Sequence, residues 1–148
     1  MTLTKINSSN ILITVMCIVA LGFSADHEST NKTVTGPLSG FDCAVVGELC
    51  PTTHRGADYT TGIFTEDKDF FFVVNIPQSF LQQYFRETIE VEGTVYDTYS
   101  HAIEPESIYL INGDERRLVY EGGYFIDENE QRATFQDGVY RNGRWNIP

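Results

Sequence analysis

Hydrophobic positions along the chain change their spacing several times, and each change marks an element. An apolar run from Ile11 to Phe23 comes first. Ser, Thr, Asn and Gly then dominate Asp26 to Gly40, with no hydrophobic periodicity, and this predicts a flexible tether over residues 26–40. Ala44 to Leu49 is a short β-prone run, followed by loop-like Pro51 to Asp58. Tyr59 to Phe64 and Phe70 to Ile76 are two further strands around the polar turn Thr65-Glu66-Asp67-Lys68-Asp69, the spacing of a hairpin. Phe70 to Val74 is continuously apolar, so this strand is either covered on both faces or lines an aromatic surface.

Pro77 suits the first turn of a helix. Phe80, Leu81, Tyr84 and Phe85 then fall on one stripe, with Gln82, Gln83 and Arg86 facing away. A helix this short gains its stability by packing over a core opening rather than from propensity. Thr88 to Tyr96 alternates with period two: Ile89, Val91 and Val95 point one way, Glu90, Glu92 and Thr94 the other. Gly93 occupies an apolar position in that alternation and predicts a bulge or sharp bend. Ser107 to Ile111 supplies a fifth strand, and Asn112-Gly113 is a strong turn signal after it.

The pattern predicts an all-β fold, a five-stranded OB-like barrel over residues 41–113 with one short helix between strands 3 and 4. That element order is the one found in the oligonucleotide/oligosaccharide-binding (OB) barrel. The chain resembles small exported bacterial OB-fold proteins in Val46-Gly47-Glu48-Leu49-Cys50, in Ile76 to Phe85, and in Ile89-Glu90-Val91-Glu92-Gly93-Thr94-Val95. Some exported OB proteins of uncharacterised function also carry a Cys after the first strand and a His a few residues on, as Cys50 and His54 do here. Ile76 to Gly93 is similar to the corresponding stretch of the periplasmic haem chaperone of cytochrome c maturation. That family attaches haem through a His in a Lys-His-Asp-Glu-x-x-Tyr signature. The present chain has no such run, and His101 lies instead in Ser100-His101-Ala102-Ile103.

Residues 114–148 form a β-rich extension, read as a hairpin of Tyr124 to Ile126 and Ala133 to Phe135 with Tyr140 and Trp145 packed onto the barrel. A Tyr-x-x-Gly pattern recurs at Tyr120 and Tyr140, but two degenerate copies do not make a repeat array.

Charge and processing set the context. Lys5 is the only charged residue before Asp26, and the apolar run after it is shorter than the roughly 20 residues a membrane span needs. Residues 1–25 therefore read as a cleaved secretory signal peptide and place the mature protein in the periplasm or outside the cell. The formal net charge is −11, with 10 Lys and Arg against 21 Asp and Glu. So acidic a surface repels polyanions and argues against nucleic acid; without a polybasic segment it also argues against an anionic membrane surface once the signal is removed.

Two cysteines remain after processing, Cys43 and Cys50. An oxidising compartment favours a disulfide between them. In one regular strand they would face opposite sides, so a bridge requires a bend; two unlinked thiols and a metal site stay open. The metal alternative uses Cys50, His54 and Cys43, a donor set suited to copper or zinc, with haem as a further option. The spacing of Asp127-Glu128-Asn129-Glu130-Gln131 fails the calcium-loop pattern, because Arg132 stands where the sharp turn needs Gly.

There is no nucleophile elbow, no His-Glu-x-x-His and no phosphate loop, so the sequence does not read as an enzyme. The expectation is a non-catalytic binding module for a protein or glycan partner in the cell envelope, without a cofactor. Tyr59, Phe70, Phe72, Tyr96 and Tyr109 are the candidate binding face. The alternative is a small metal- or haem-handling protein.

Overall fold

The computed structural model describes residues 30–97, 101–134, 139–141 and 144–146. The signal segment 1–25 and residues 26–29 lie outside the described residues, as do Phe135 and the side chains of Tyr140 and Trp145.

Residues 30–40, expected as the end of a tether, are instead a strand, β1 (Thr30–Gly40). Val34, Gly36 and Leu38 turn inward while Asn31, Thr33 and Thr35 face solvent. A period-two pattern is therefore present, carried by only two apolar side chains. Thr and Val suit a pleated surface well enough for the neighbouring strands to complete the element. The barrel thus starts at residue 30 rather than 41.

β1 serves two neighbours in turn. Thr30 to Pro37 pair antiparallel with β4 (Thr88–Asp97), and Leu38 to Gly40 pair antiparallel with β2 (Thr61–Phe64). β2 pairs with β3 (Phe70–Val73), and β4 pairs with β5 (His101–Asn112). A short parallel contact of β3 with β5, Phe72 opposite Ala102 and Val73 opposite Ile103, closes the ring. The result is a closed five-stranded barrel of OB-like strand order, β1-β2-β3-β5-β4.

Gly93 sits where the register between β4 and β5 shifts, as its place in the alternation predicts. A Cβ there would lie 2.1 Å from the Glu104 carbonyl oxygen. Only glycine allows the two backbones to approach this closely.

Ala44 to Leu49, expected as the first strand, forms no strand. A five-residue helix, α1 (Phe41–Val45), and a turn replace it. The physical reason is the Cys43–Cys50 disulfide, whose Cα atoms are 5.3 Å apart over a sequence separation of 7. An extended segment of that length would span about 23 Å, so the bridge demands a chain reversal. Gly47, at φ 76°, supplies the left-handed residue in it.

The helix between strands 3 and 4 is α2 (Gln78–Gln82), a little over one turn long. It packs onto the barrel core through buried Phe80 and Leu81. Its polar face does not simply meet water, as the stripe had suggested for Gln82. Gln82 Nε2 donates to the Tyr59 carbonyl (3.2 Å). Gln78 uses both ends of its amide on buried Thr61: its Oε1 accepts from the Thr61 N–H (2.7 Å), and its Nε2 donates to the Thr61 carbonyl (3.2 Å).

Beyond the ring, β6 (Glu115–Glu121) pairs with β5, and β7 (Tyr124–Ile126) and β8 (Arg132–Ala133) follow antiparallel. The expected hairpin of the extension is thus present. β6 and β7 join the barrel core, since the Phe125 ring lies 4.6 Å from that of Phe80 and 5.5 Å from that of Tyr120. β9 (Val139–Arg141) and β10 (Arg144–Asn146) form a separate two-stranded pair.

Candidate functional site

The disulfide, α1 and the β2–β3 hairpin meet at one corner of the barrel. Cys43 and Cys50 are both buried and bridged. Cys50 is anchored from below by its N–H, which donates to the hydroxyl of buried Ser39 on β1 (3.2 Å). His54, four residues after Cys50, turns back over the bridge, and its Nδ1 lies 3.7 Å from Cys43 Sγ. The same nitrogen is 2.9 Å from the Tyr59 hydroxyl. The Tyr59 ring is stacked between His54 (5.1 Å) and Phe85 (6.3 Å). The three proposed ligand atoms, Cys43 Sγ, Cys50 Sγ and one His54 nitrogen, all lie within 4.8 Å of one another.

A second feature lies on the outer side of the same corner. Along β3, Phe71 packs against the core and Val73 is buried in it, while Phe70 and Phe72 face outward and stay half-buried. The strand therefore lines an aromatic surface instead of being covered twice. Phe41, the first residue of α1, completes that surface: its ring lies 5.5 Å from Phe70 and 5.3 Å from Phe72, and those two rings are 5.0 Å apart. The disulfide loop adds further apolar groups. Phe41, Val45, Val46 and Leu49 are 39%, 67%, 71% and 51% exposed, unusual for large hydrophobic residues so near one another in the chain. Asp42 and Glu48 are interspersed among them, and the adjoining β2–β3 turn carries Glu66, Asp67 and Asp69 with Lys68, which reaches toward Gly47.

The five aromatic residues expected as a binding face make different contacts. Phe70 and Phe72 belong to the cluster with Phe41. Tyr59 belongs to the His54 stack. Tyr96 hydrogen-bonds through its hydroxyl to Glu104 Oε2 (2.8 Å), and Tyr109 lies under the Arg116 guanidinium, 3.3 Å from ring centre to carbon. Arg116 in turn pairs with Glu90 and Glu92 on the solvent side of β4. Phe41 was missed in the sequence because a lone aromatic before Cys43 belongs to no periodic run; only the fold lays it across β3.

Electrostatics are perturbed where polar side chains meet. The hydrogen bond from Tyr96, reinforced by one from Asn75 Nδ2 (2.6 Å), holds the Glu104 carboxyl below the usual carboxylate range. The same hydrogen bond to Glu104 raises the Tyr96 hydroxyl.

Among the described residues no helix is long and apolar enough to cross a membrane. No family model, curated protein or solved structure matches the chain.

Proposed function

We propose that the protein is an exported, non-catalytic OB-like binding module that docks a protein partner in the cell envelope through the apolar surface around Phe41. The supporting observation is the exposure of Val45, Val46 and Leu49 on a disulfide-closed loop that follows Phe41 in the chain, whose ring packs on Phe70 and Phe72. Apolar groups held in place in this way lose little conformational freedom on binding, and their burial contributes about 25 cal/mol per Å². Aliphatic tips with few hydrogen-bonding groups suit an apolar peptide segment better than a sugar. The carboxylates of Asp42, Glu48, Glu66, Asp67 and Asp69 around that centre favour a partner whose apolar anchor is flanked by Lys or Arg. The disulfide agrees with an oxidising compartment.

The test is a binding screen of the mature protein against two probe sets: peptides with an apolar centre flanked by Lys and Arg, and an oligosaccharide array. The expected result is salt-sensitive peptide binding that weakens at least tenfold in the Val46→Asp, Leu49→Asp double variant. Binding of oligosaccharides alone, peptide binding unchanged in the variant, or no binding by either set would overturn the reading.

A further inference from the structure

The geometry points to a second state of the disulfide corner: we propose that reduction of the Cys43–Cys50 bridge opens a three-ligand site for zinc(II), formed by Cys43, Cys50 and His54. The proposal is independent of whether the neighbouring loop docks a partner. It starts from a distance. In tetrahedral zinc sites Zn–S is about 2.3 Å and Zn–N about 2.1 Å, so a thiolate and an imidazole bound to one ion stand about 3.6 Å apart. Cys43 Sγ and His54 Nδ1 are 3.7 Å apart already. One edge of the coordination tetrahedron is thus built into the oxidised protein.

The remaining adjustment is the sulfur pair. Two thiolates on one zinc ion lie about 3.8 Å apart, beyond bonding distance, so the two sulfurs must move apart once the bond between them is broken. The local chain can supply this. Cys50 is held by its N–H bond to Ser39 and is followed by Pro51, whereas Cys43 sits in a five-residue helix joined to Cys50 through Gly47. His54 is positioned by stacking on Tyr59, which is itself backed by Phe85, so it does not depend on the bridge for its place. Nδ1 would exchange its contact with the Tyr59 hydroxyl for the ion, and half-buried Tyr59 can turn that hydroxyl to water.

The chemistry balances with a dithiol or phosphine reductant. Two electrons break the S–S bond and two protons give the Cys43 and Cys50 thiols; a dithiol donor supplies both protons and forms its own disulfide, whereas a phosphine takes the oxygen of one water to become the phosphine oxide and that water's two protons go to the thiols. Zinc binding then releases the two thiol protons, since the thiolate is the ligand. Three protein ligands leave a fourth position for water or an exchanging partner, the arrangement of a site that hands its ion on or uses it, rather than one that merely holds a fold together.

The experiment compares oxidised and phosphine-reduced mature protein, each titrated with zinc(II) by calorimetry and with cobalt(II) as a thiolate-sensitive spectroscopic reporter. Near-UV circular dichroism of the reduced chain runs alongside. The expected result is one zinc ion per reduced chain, none on the oxidised chain, and sulfur-to-cobalt charge-transfer absorption. His54→Gln should lower the affinity more than tenfold, because even outer-sphere substitutions around metals cost about 10–100-fold. His54 is partly exposed, so this variant keeps the fold when the cysteines are bridged. Cys50→Ser should cut the charge-transfer absorption to about half or less, because only one of the two thiolates remains. Absence of stoichiometric binding, equal affinity in His54→Gln, an unchanged band in Cys50→Ser, or loss of the native near-UV signal on reduction alone would each overturn the proposal.

Discussion

Asn75 Nδ2 donates to Glu104 Oε1 over 2.6 Å, at the seam where the parallel pairing of β3 and β5 closes the barrel. Asn75 holds φ at 59°, a conformation Asn tolerates better than most side chains, and this directs the chain out of β3 toward α2. The Val74 N–H donates to the Ile103 carbonyl in the same seam (3.0 Å). Closure of the ring therefore rests on few backbone bonds, and the Asn75, Glu104 and Tyr96 side chains reinforce them.

The seam should make stability depend on pH at both ends. Glu104 titrates below its ordinary value of 4.5 in the folded chain, so its contribution is present above that value and is lost as pH falls through the lowered one. Tyr96 titrates above 10.0, so its contribution is present below 10.0 and is lost as pH rises through the raised value. Thermal melting across pH should show both limbs in the native chain. Glu104→Gln should flatten both, and an unchanged acid limb in that variant would count against the seam.

Gln78 completes the pairing of Thr61, a residue fully shielded from water. Gln78→Ala leaves a buried N–H and carbonyl without that partner and is expected to cost about 1–3 kcal/mol in urea unfolding. Gln78→Glu keeps the acceptor and loses the donor, so it should fall between the native chain and the alanine variant near neutral pH.

Gly93→Ala forces a methyl group onto the Glu104 carbonyl. Overpacking against backbone cannot be relieved by a rotamer change, and the expected loss is about 3 kcal/mol, read from the denaturation midpoint. The same substitution at Gly113, whose added Cβ would meet nothing within 4 Å, is the comparison; there the penalty is only the left-handed backbone.

Removing the Cys43–Cys50 bridge in a double serine variant should lower stability by about 2 kcal/mol, the loop-closure value for so short a loop. Val46→Asp should change stability by less than about 0.5 kcal/mol, because the side chain is 71% exposed. Denaturation of both variants checks the expectations together. A large loss in Val46→Asp would mean that the loop residue supports the fold instead of facing a partner.

Local pattern determined the elements whose burial alternates in sequence. Ile89, Val91 and Val95 in β4, the Gly93 bulge, Phe80 and Leu81 in α2, and the β7 and β8 hairpin were all legible, because each depends on neighbours a few residues away. β1 was not, since a strand with two apolar side chains becomes a strand only when β4 and β2 pair with it on either half. The segment after Gly40 was misread for the opposite reason: its valines favour a strand, but a covalent link between Cys43 and Cys50 overrules propensity. The candidate chemistry divides in the same way. Cys43, Cys50 and His54 could be named from spacing, but their 3.7 Å contact and the stacking behind His54 come from Tyr59 and Phe85, which only the folded chain brings there. The sorting of five expected surface aromatics into separate settings, and the addition of Phe41 to one of them, was likewise a matter of long-range packing, which a linear pattern of side chains does not encode.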